Sequence, residues 1–205
     1  MLDDYFHTLQ SVIMKYNTLS GLHPTLWRTC RALANERRLD ILRLLIAREP
    51  LTVSDVAREM DISMATASQY LRSLNARGLL TVMRKKRFVY YTVGADSSLP
   101  HAAALLGSVM QSLRVKQNTA GVFMQALTAF THPRRVQLVK LLAGKPMGVL
   151  ELLGATGYSL PALSRHLSKL QRRGIVRRRH RKYECMRPSD PLSKTLILLA
   201  RQDSA

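Results

Sequence analysis

The 205 residues carry 32 Lys+Arg against 13 Asp+Glu, a formal net charge of +19, in a chain whose hydrophobic fraction of 46% is that of a folding polypeptide rather than a disordered tail. Two cysteines far apart in sequence, Cys30 and Cys185, exclude a disulfide framework and a cysteine-only zinc site, and the apolar runs are far too short to span a membrane. A cytoplasmic, reducing setting is therefore expected, with no membrane partner and no secretory signal. The charge is uneven, +5 over residues 1–96 and +14 over 97–205, which points to a polyanion partner held chiefly by the second half.

In chain order, residues 2–19 and 22–34 read as two helices, the first with Leu2, Phe6, Leu9, Ile13 and Tyr16 at helical spacing. Asn35 is a good N-cap for a helix running to Leu45. Val53, Val56, Ala57 and Met60 then fall at i, i+3, i+4, i+7, a short amphipathic helix. Ser63, after a tight break, caps a third helix with Ala67, Leu71 and Leu74 as its buried stripe and Gly78 as its stop. Two β-prone segments, 79–83 and 88–93, surround the basic tip Arg84-Lys85-Lys86-Arg87 and read as a hairpin. A longer helix follows over 99–117, with Leu99, Ala103, Leu106, Met110 and Leu113 on one face.

The order then repeats. Residues 35–45 align with 132–142 at a shift of 97, and the next helix with Val149, Leu152, Leu153 and Thr156 at a shift of 96. Ser159 caps the second copy's third helix, whose stripe is Leu163, Leu167 and Leu170 and whose stop is Gly174. A shorter, more charged hairpin is expected over 175–186, and residues 192–201 close the chain as the counterpart of 99–117. Helix, helix, turn, helix, hairpin is the order of a winged helix-turn-helix domain, so the fold class expected is mainly α with small β-hairpin wings, two winged domains packed through their flanking helices. The expected division is an N-terminal helix at 1–21, a first domain at 22–118 and a second at 119–205.

The segments Leu33 to Leu42, Ser68 to Leu74 with Arg77-Gly78-Leu79, and Tyr90-Tyr91, together with Ser164 to Leu170 and Arg173-Gly174-Ile175, resemble the arsenical-resistance (ArsR-type) repressors. That resemblance implies winged domains that pair through their first and last helices and repress transcription until a ligand releases them. Two copies in one chain then imply an intramolecular pseudo-dimer, with a homodimer of four winged domains as the other arrangement. The family's metal sites have no counterpart: 51–56 and 147–152 contain no cysteine, and Asp96 and His101 are followed by no second His or Glu, so neither metal nor other cofactor is expected. The small-molecule effector, if there is one, stays open.

The side of each third helix opposite its stripe is expected in the major groove of double-stranded DNA. In the first copy that assigns Thr66, Gln69, Tyr70 and Arg72, with Ser63 on a phosphate; in the second it assigns Arg165, His166, Lys169 and Arg172, with Ser159 on a phosphate. Gln69 suits adenine and Arg165 guanine, so the site is expected to be asymmetric. The wing residues Lys85, Lys86, Arg87, Arg179, Arg181 and Lys182 are expected on the backbone or in the minor groove, the alternative being solvated hairpin tips. Tyr70 and His166 either touch DNA or pack on the domain edge, while Phe88, Tyr90 and Tyr91 are expected in the wing core. No Gly-rich phosphate loop, HExxH, nucleophile elbow or catalytic carboxylate pair is found, so a sequence-specific regulator, a repressor and not an enzyme, is expected. The alternatives are a protein-interaction scaffold and a redox-responsive regulator acting through Cys185, whose neighbours Arg181, Lys182 and Arg187 would favour a thiolate.

Overall fold

A computed structural model describes residues 25–99, 101–114 and 120–203. The helix expected over 2–19, Pro100 and both expected domain boundaries lie outside the described residues. Helix α1 (Leu26–Leu33) leads into α2 (Glu36–Arg48), whose N-cap Asn35 accepts from the Arg38 amide at 3.0 Å. Strand β1 (Leu51–Thr52) runs directly into α3 (Val53–Glu59), started by a capping box in which Thr52 Oγ1 accepts from the Asp55 amide and the Asp55 carboxylate accepts from the Thr52 amide. Helix α4 (Met64–Asn75) buries Ala67, Leu71 and Leu74, and the wing consists of β2 (Leu80–Lys85) and β3 (Phe88–Val93). A flanking helix, α5 (Ala102–Arg114), completes the first copy.

The second copy follows the same course: α6 (Ala120–Ala129), α7 (Pro133–Gly144), β4 (Met147–Gly148), α8 (Val149–Thr156), α9 (Leu160–Arg172), β5 (Val176–Arg179), β6 (Lys182–Cys185) and α10 (Pro191–Gln202). Each wing is a three-stranded antiparallel sheet in the order β1-β3-β2 or β4-β6-β5. The two-residue strands β1 and β4 have no sequence signal of their own, being too short for alternation. The hairpins reach further than expected. Arg84 and Lys85, assigned to the first tip, are paired strand residues, as are Arg179 and Lys182 in the second copy, which leaves only Lys86-Arg87 and His180-Arg181 as turns. His180 and Arg181 both have positive φ, 47° and 63°, the pairing a type I′ turn needs to match strand twist.

One device recurs at the junction of the first two helices in each copy. Arg135 is only 6% exposed; its Nε donates to Ala129 O at 2.6 Å, and one terminal nitrogen to Thr128 O and Thr131 Oγ1. Arg38 does the same to Ala32 O and Arg31 O, with less burial. Each guanidinium satisfies carbonyls that the end of a helix leaves without intrahelical donors, and places a cation at the negative end of its dipole. The second arginine of each pair, Arg38 and Arg135, is thus a structural clamp. Arg135→Ala strands those carbonyls, so it is expected to cost about 3 kcal/mol, seen as a fall of roughly 10 °C in thermal midpoint. Arg38→Ala is expected to cost markedly less, and equal costs would show that burial does not set the scale.

At Gly78, φ is +67°, and an added Cβ would lie 2.5 Å from Leu99 Cδ1 and 2.8 Å from Asp96 Cβ. Only glycine both takes the left-handed turn and lets the chain beyond α4 fold back under α5.

The two copies share one hydrophobic core, running without a break from Leu26 to Ala200. Helix α1 packs on α6 and α7, and α10 packs on α5, α6 and α7. On α5 the buried face differs from the one expected. Ala102, Leu105, Leu106 and Val109 are buried together with Ser108 and Ser112, while Ala103 is exposed. Small serines take positions where polarity alone predicts solvent, because a helix packed closely on another needs little volume there; Ser108 Oγ donates to Leu105 O of its own turn. Among the described residues no helix is long and apolar enough to cross a membrane.

Candidate nucleic-acid interface

In α4, Ser63 is the N-cap: its Oγ accepts from the Thr66 amide at 3.2 Å and shares a hydrogen bond with Thr66 Oγ1 at 2.8 Å. Gln69 and Arg72 are exposed on the outer side, with Thr66 half-buried between them. Tyr70 is half-buried and packed against the core, with the Arg38 guanidinium 5.7 Å from its ring centroid. Its ring therefore braces α4 on α2, leaving the outer face to Gln69.

In α9, Arg165 and Arg172 are exposed and Lys169 half-buried, forming one cationic stripe at i, i+4, i+7. His166 does not belong to it. It is 8% exposed, and its ring lies 4.6 Å from that of His132 and 6.4 Å from that of Tyr158, so the outward placement expected from sequence is corrected. Position 166 stands at i+3 from Leu163 and i+7 would be Leu170, so it shares the buried stripe. Ser159 also departs from expectation. It occupies the N-cap place of α9, but its side chain makes no capping hydrogen bond.

The His166 ring pays for its place in basicity. Burial, then His132, Arg135, Arg134 and Lys169, push its pKa down to about 4; burial, then Arg135, Arg134, Lys169 and Arg31 of the first copy, also lower that of His132. Between its ordinary value and about 4 the unfolded chain binds a proton that the folded chain refuses. The stability contributed is present above the ordinary imidazole pKa and lost as pH falls toward the folded one. Thermal midpoints are expected to drop between about pH 7 and about pH 5 more steeply in the parent chain than in His166→Tyr, which carries the first copy's Tyr70 side chain; parallel profiles would contradict this.

Both wings present cations. Lys85, Lys86 and Arg87 are exposed, with Arg87 5.1 Å from the Phe88 ring centroid. Phe88 is itself 43% exposed, so of the three wing aromatics only Tyr91 is a buried core residue. In the second wing Arg179, Arg181 and Lys182 are exposed, while Arg177 is neutralised by Glu184 directly opposite on β6. Cys185 lies on the inward side of that strand, where burial pushes its thiol up to about 11, against the thiolate its sequence neighbours suggested. Cys30 is fully buried, as expected.

Two further features were not anticipated. Met64 and Leu160, the first residues of α4 and α9, correspond at a shift of 96 and are 53% and 57% exposed. Off the buried stripe, such paired apolar side chains suit a thymine methyl. Secondly, Arg28, Arg31, Arg38 and Arg77 line a shallow cleft of about 350 Å³ with Trp27 and with Ser73 of α4. Desolvation lowers the pKa of Arg38 and Arg77, and Arg28 adds to the effect at Arg77. The signal in sequence is the i, i+3 pair of arginines next to Trp27, which a reading centred on the third helix passes over.

Residues 33–82 match the family of a helix-turn-helix domain, and residues 132–178 match that of bacterial regulatory proteins of the arsR family. The transcriptional activator HlyU of Vibrio cholerae is 35% identical over 65 residues, 32% of this chain and 59% of that one. The nodulation protein NolR of Rhizobium meliloti is 34% identical over 74 residues, 36% of this chain and 60% of that one. A homodimeric winged helix-turn-helix DNA-binding fragment from Mycobacterium bovis, described as a possible ArsR-family transcriptional regulator, is 31% identical and covers 44% of this chain and 79% of its own, with a TM-score of 0.35. The chain thus spans between half and about three fifths of the length of the curated relatives it matches.

Proposed function

We propose that the chain, whose residues 132–178 match the arsR family and whose residues 33–82 match a helix-turn-helix domain, is an ArsR-type, double-stranded DNA-binding transcriptional regulator whose two domains act as an intramolecular pseudo-dimer. The observation that carries the reading is the pairing, in each copy, of an exposed polar or cationic face on the third helix with a cationic wing, in a chain of net charge +19. Helices α1, α5, α6 and α10, which pack the copies together, take the place of the family's homodimer interface. The domains of this reading are 22–118 and 119–205, and the protein works in the cytoplasm, without catalysis.

Thr66, Gln69 and Arg72 read one half-site, with Ser63 at a phosphate, and Arg165, Lys169 and Arg172 read the other. Lys85, Lys86, Arg87, Arg179, Arg181 and Lys182 hold the backbone beside them. Tyr70 and His166 support these helices from behind, and Ser159 offers its hydroxyl to a phosphate, being unused as a cap. The regulator acts as a repressor because a chain covering two major-groove segments excludes other proteins from that stretch of duplex. Two third helices on one face call for half-sites about one helical turn apart, on the order of 34 to 36 Å.

Binding to random duplex, followed by fluorescence anisotropy across a salt series, tests the reading. Contact with about six to ten phosphates predicts affinity falling by three to five orders of magnitude between roughly 50 and 200 mM salt. A slope near zero would remove DNA as the partner and leave the protein-interaction scaffold. Selection from a random duplex pool then yields both half-sites and their spacing.

A further inference from the structure

The repeat supplies an internal comparison that singles out one cleft. In the first copy the residue before Pro50 is Glu49, and its Oε2 accepts a hydrogen bond from the Val93 amide at 2.6 Å. Val93 lies five residues after the residue that closes the hairpin turn, opposite Leu80. At such odd positions of a return strand the amide turns away from its hairpin partner, toward the strand on the other side. Here that side holds β1 and the Glu49 carboxylate.

The second copy keeps the backbone and reverses the charge. Pairing of Leu51 with Tyr91 and of Met147 with Tyr183 makes Cys185 the counterpart of Val93, and Lys145, before Pro146, the counterpart of Glu49. Cys185 lies three residues after the turn-closing Lys182, opposite Val176, so its amide also turns from β5 toward the Lys145 side. The Cys185 amide therefore turns toward the side of a cleft that a lysine lines, where its counterpart meets a carboxylate. The site opens into a cleft of about 640 Å³ between the end of α7, strand β6 and α10.

Lys145, Arg177, Arg187 and Arg201 line this cleft against one acid, Glu184, which is paired with Arg177. The ends of α7 and α10 also face it, each carrying roughly half a negative charge at its carbonyls. Four cations exceed one carboxylate and two half charges, so the balance is positive. Leu142, Pro146 and Ile197 supply an apolar wall on the same cleft. A donor amide, an unbalanced set of cations and an apolar wall describe a receptor for an amphipathic anion.

We propose that this cleft binds a small organic carboxylate, with the carboxylate between Lys145 and the Cys185 amide, where Glu49 sits in the first copy, and the organic part on Leu142, Pro146 and Ile197. Its occupant touches the return strand of the second wing and also α10, the helix that packs on α5 of the other copy. A ligand there would bear on both the wing and the junction of the domains.

The test is a titration of the full chain, without DNA, with 4-phenylbutyrate, followed by amide proton and nitrogen shifts. Saturable shifts are expected at Lys145, Cys185 and Met186 with a midpoint of roughly millimolar concentration, and none with the neutral 4-phenylbutyramide. Lys145→Glu places the first copy's own carboxylate in the second site, so it is expected to weaken the response at least ~10-fold, a loss of about 1.4 kcal/mol, while melting no lower than the parent. Lys145→Gln, which cannot supply a carboxylate, should keep the fold and lose part of the response. Absence of saturable shifts, an equal response to the amide, or full binding by Lys145→Glu would each overturn the proposal. Because no duplex is present, these outcomes stand apart from the reading of the chain as a DNA-binding protein.

Discussion

Replacing Arg179, Arg181 and Lys182 together by alanine is expected to weaken binding to every duplex by roughly two orders of magnitude near physiological salt and to flatten the salt slope by about 3. The three side chains are exposed on a short hairpin, and the only acid on that wing, Glu184, is already committed to Arg177. Their charge is thus available to condense on phosphates. Each phosphate neutralised releases about 0.9 of a counterion, which fixes the expected change in slope independently of any base contact. The same triple change in the first wing, at Lys85, Lys86 and Arg87, is expected to cost less. Its domain carries only +5 in its half of the chain, and Arg87 lies over Phe88. Anisotropy against several unrelated duplexes measures both. A loss confined to one sequence would make the second wing a reader rather than a grip. Exposed residues on a hairpin contribute little to folding, so thermal midpoints should stay within about 1 °C per variant residue.

Most of the architecture was legible because it occurs twice. A helix start, a stripe and a glycine stop each carry modest information, but the recurrence of Asn35 at His132, Val56 at Leu152 and Gly78 at Gly174 fixes their order. What escaped has physical causes. Strands β1 and β4 contain two residues each, below the length at which alternation shows. The charged residues of the second hairpin were assigned to a tip because their polarity hid the pairing of Arg179 with Lys182. On α5, buried Ser108 and Ser112 displaced the expected face, since packing against α10 depends on volume as much as on polarity.

His166 is the most instructive case. The spacing used to recognise α3, i, i+3, i+4, i+7, also relates Leu163, His166, Leu167 and Leu170, and in the first copy Ala67, Tyr70, Leu71 and Leu74. That spacing places both rings on the inner face, although the sequence reading set them on the outer side with packing on the domain edge as the alternative. Position prevailed, at the cost of a histidine whose Nδ1 is buried without a hydrogen-bond partner among the described residues. The candidate interface was legible to the extent that it consists of exposed residues next to these in sequence, Gln69 and Arg165 above all, while the cleft of Arg28, Arg31 and Arg77 depended on how α1 meets α4, its local signal being only the arginine pair beside Trp27.

Gln69 and Arg165 correspond at the shift of 96 and differ in what they can recognise, which leads to the second large effect. An amide carries one donor and one acceptor and matches the N7 and N6 edge of adenine; a guanidinium carries only donors and matches O6 and N7 of guanine. If both side chains reach base edges from the exposed faces of α4 and α9, the two half-sites cannot be identical, and the selected operator should have no dyad symmetry. Gln69→Ala is then expected to relax preference at one position of one half-site, and Arg165→Ala at one position of the other, each by about 1 to 3 kcal/mol, or roughly 5- to 150-fold. The decisive variant is Gln69→Arg, which gives both helices the same reader and should shift the selected sequence toward guanine in the first half-site alone. A palindromic selection by the parent chain, or a Gln69→Arg selection identical to it, would show that these helices lie on the duplex without reading it and that the preference resides in the wings.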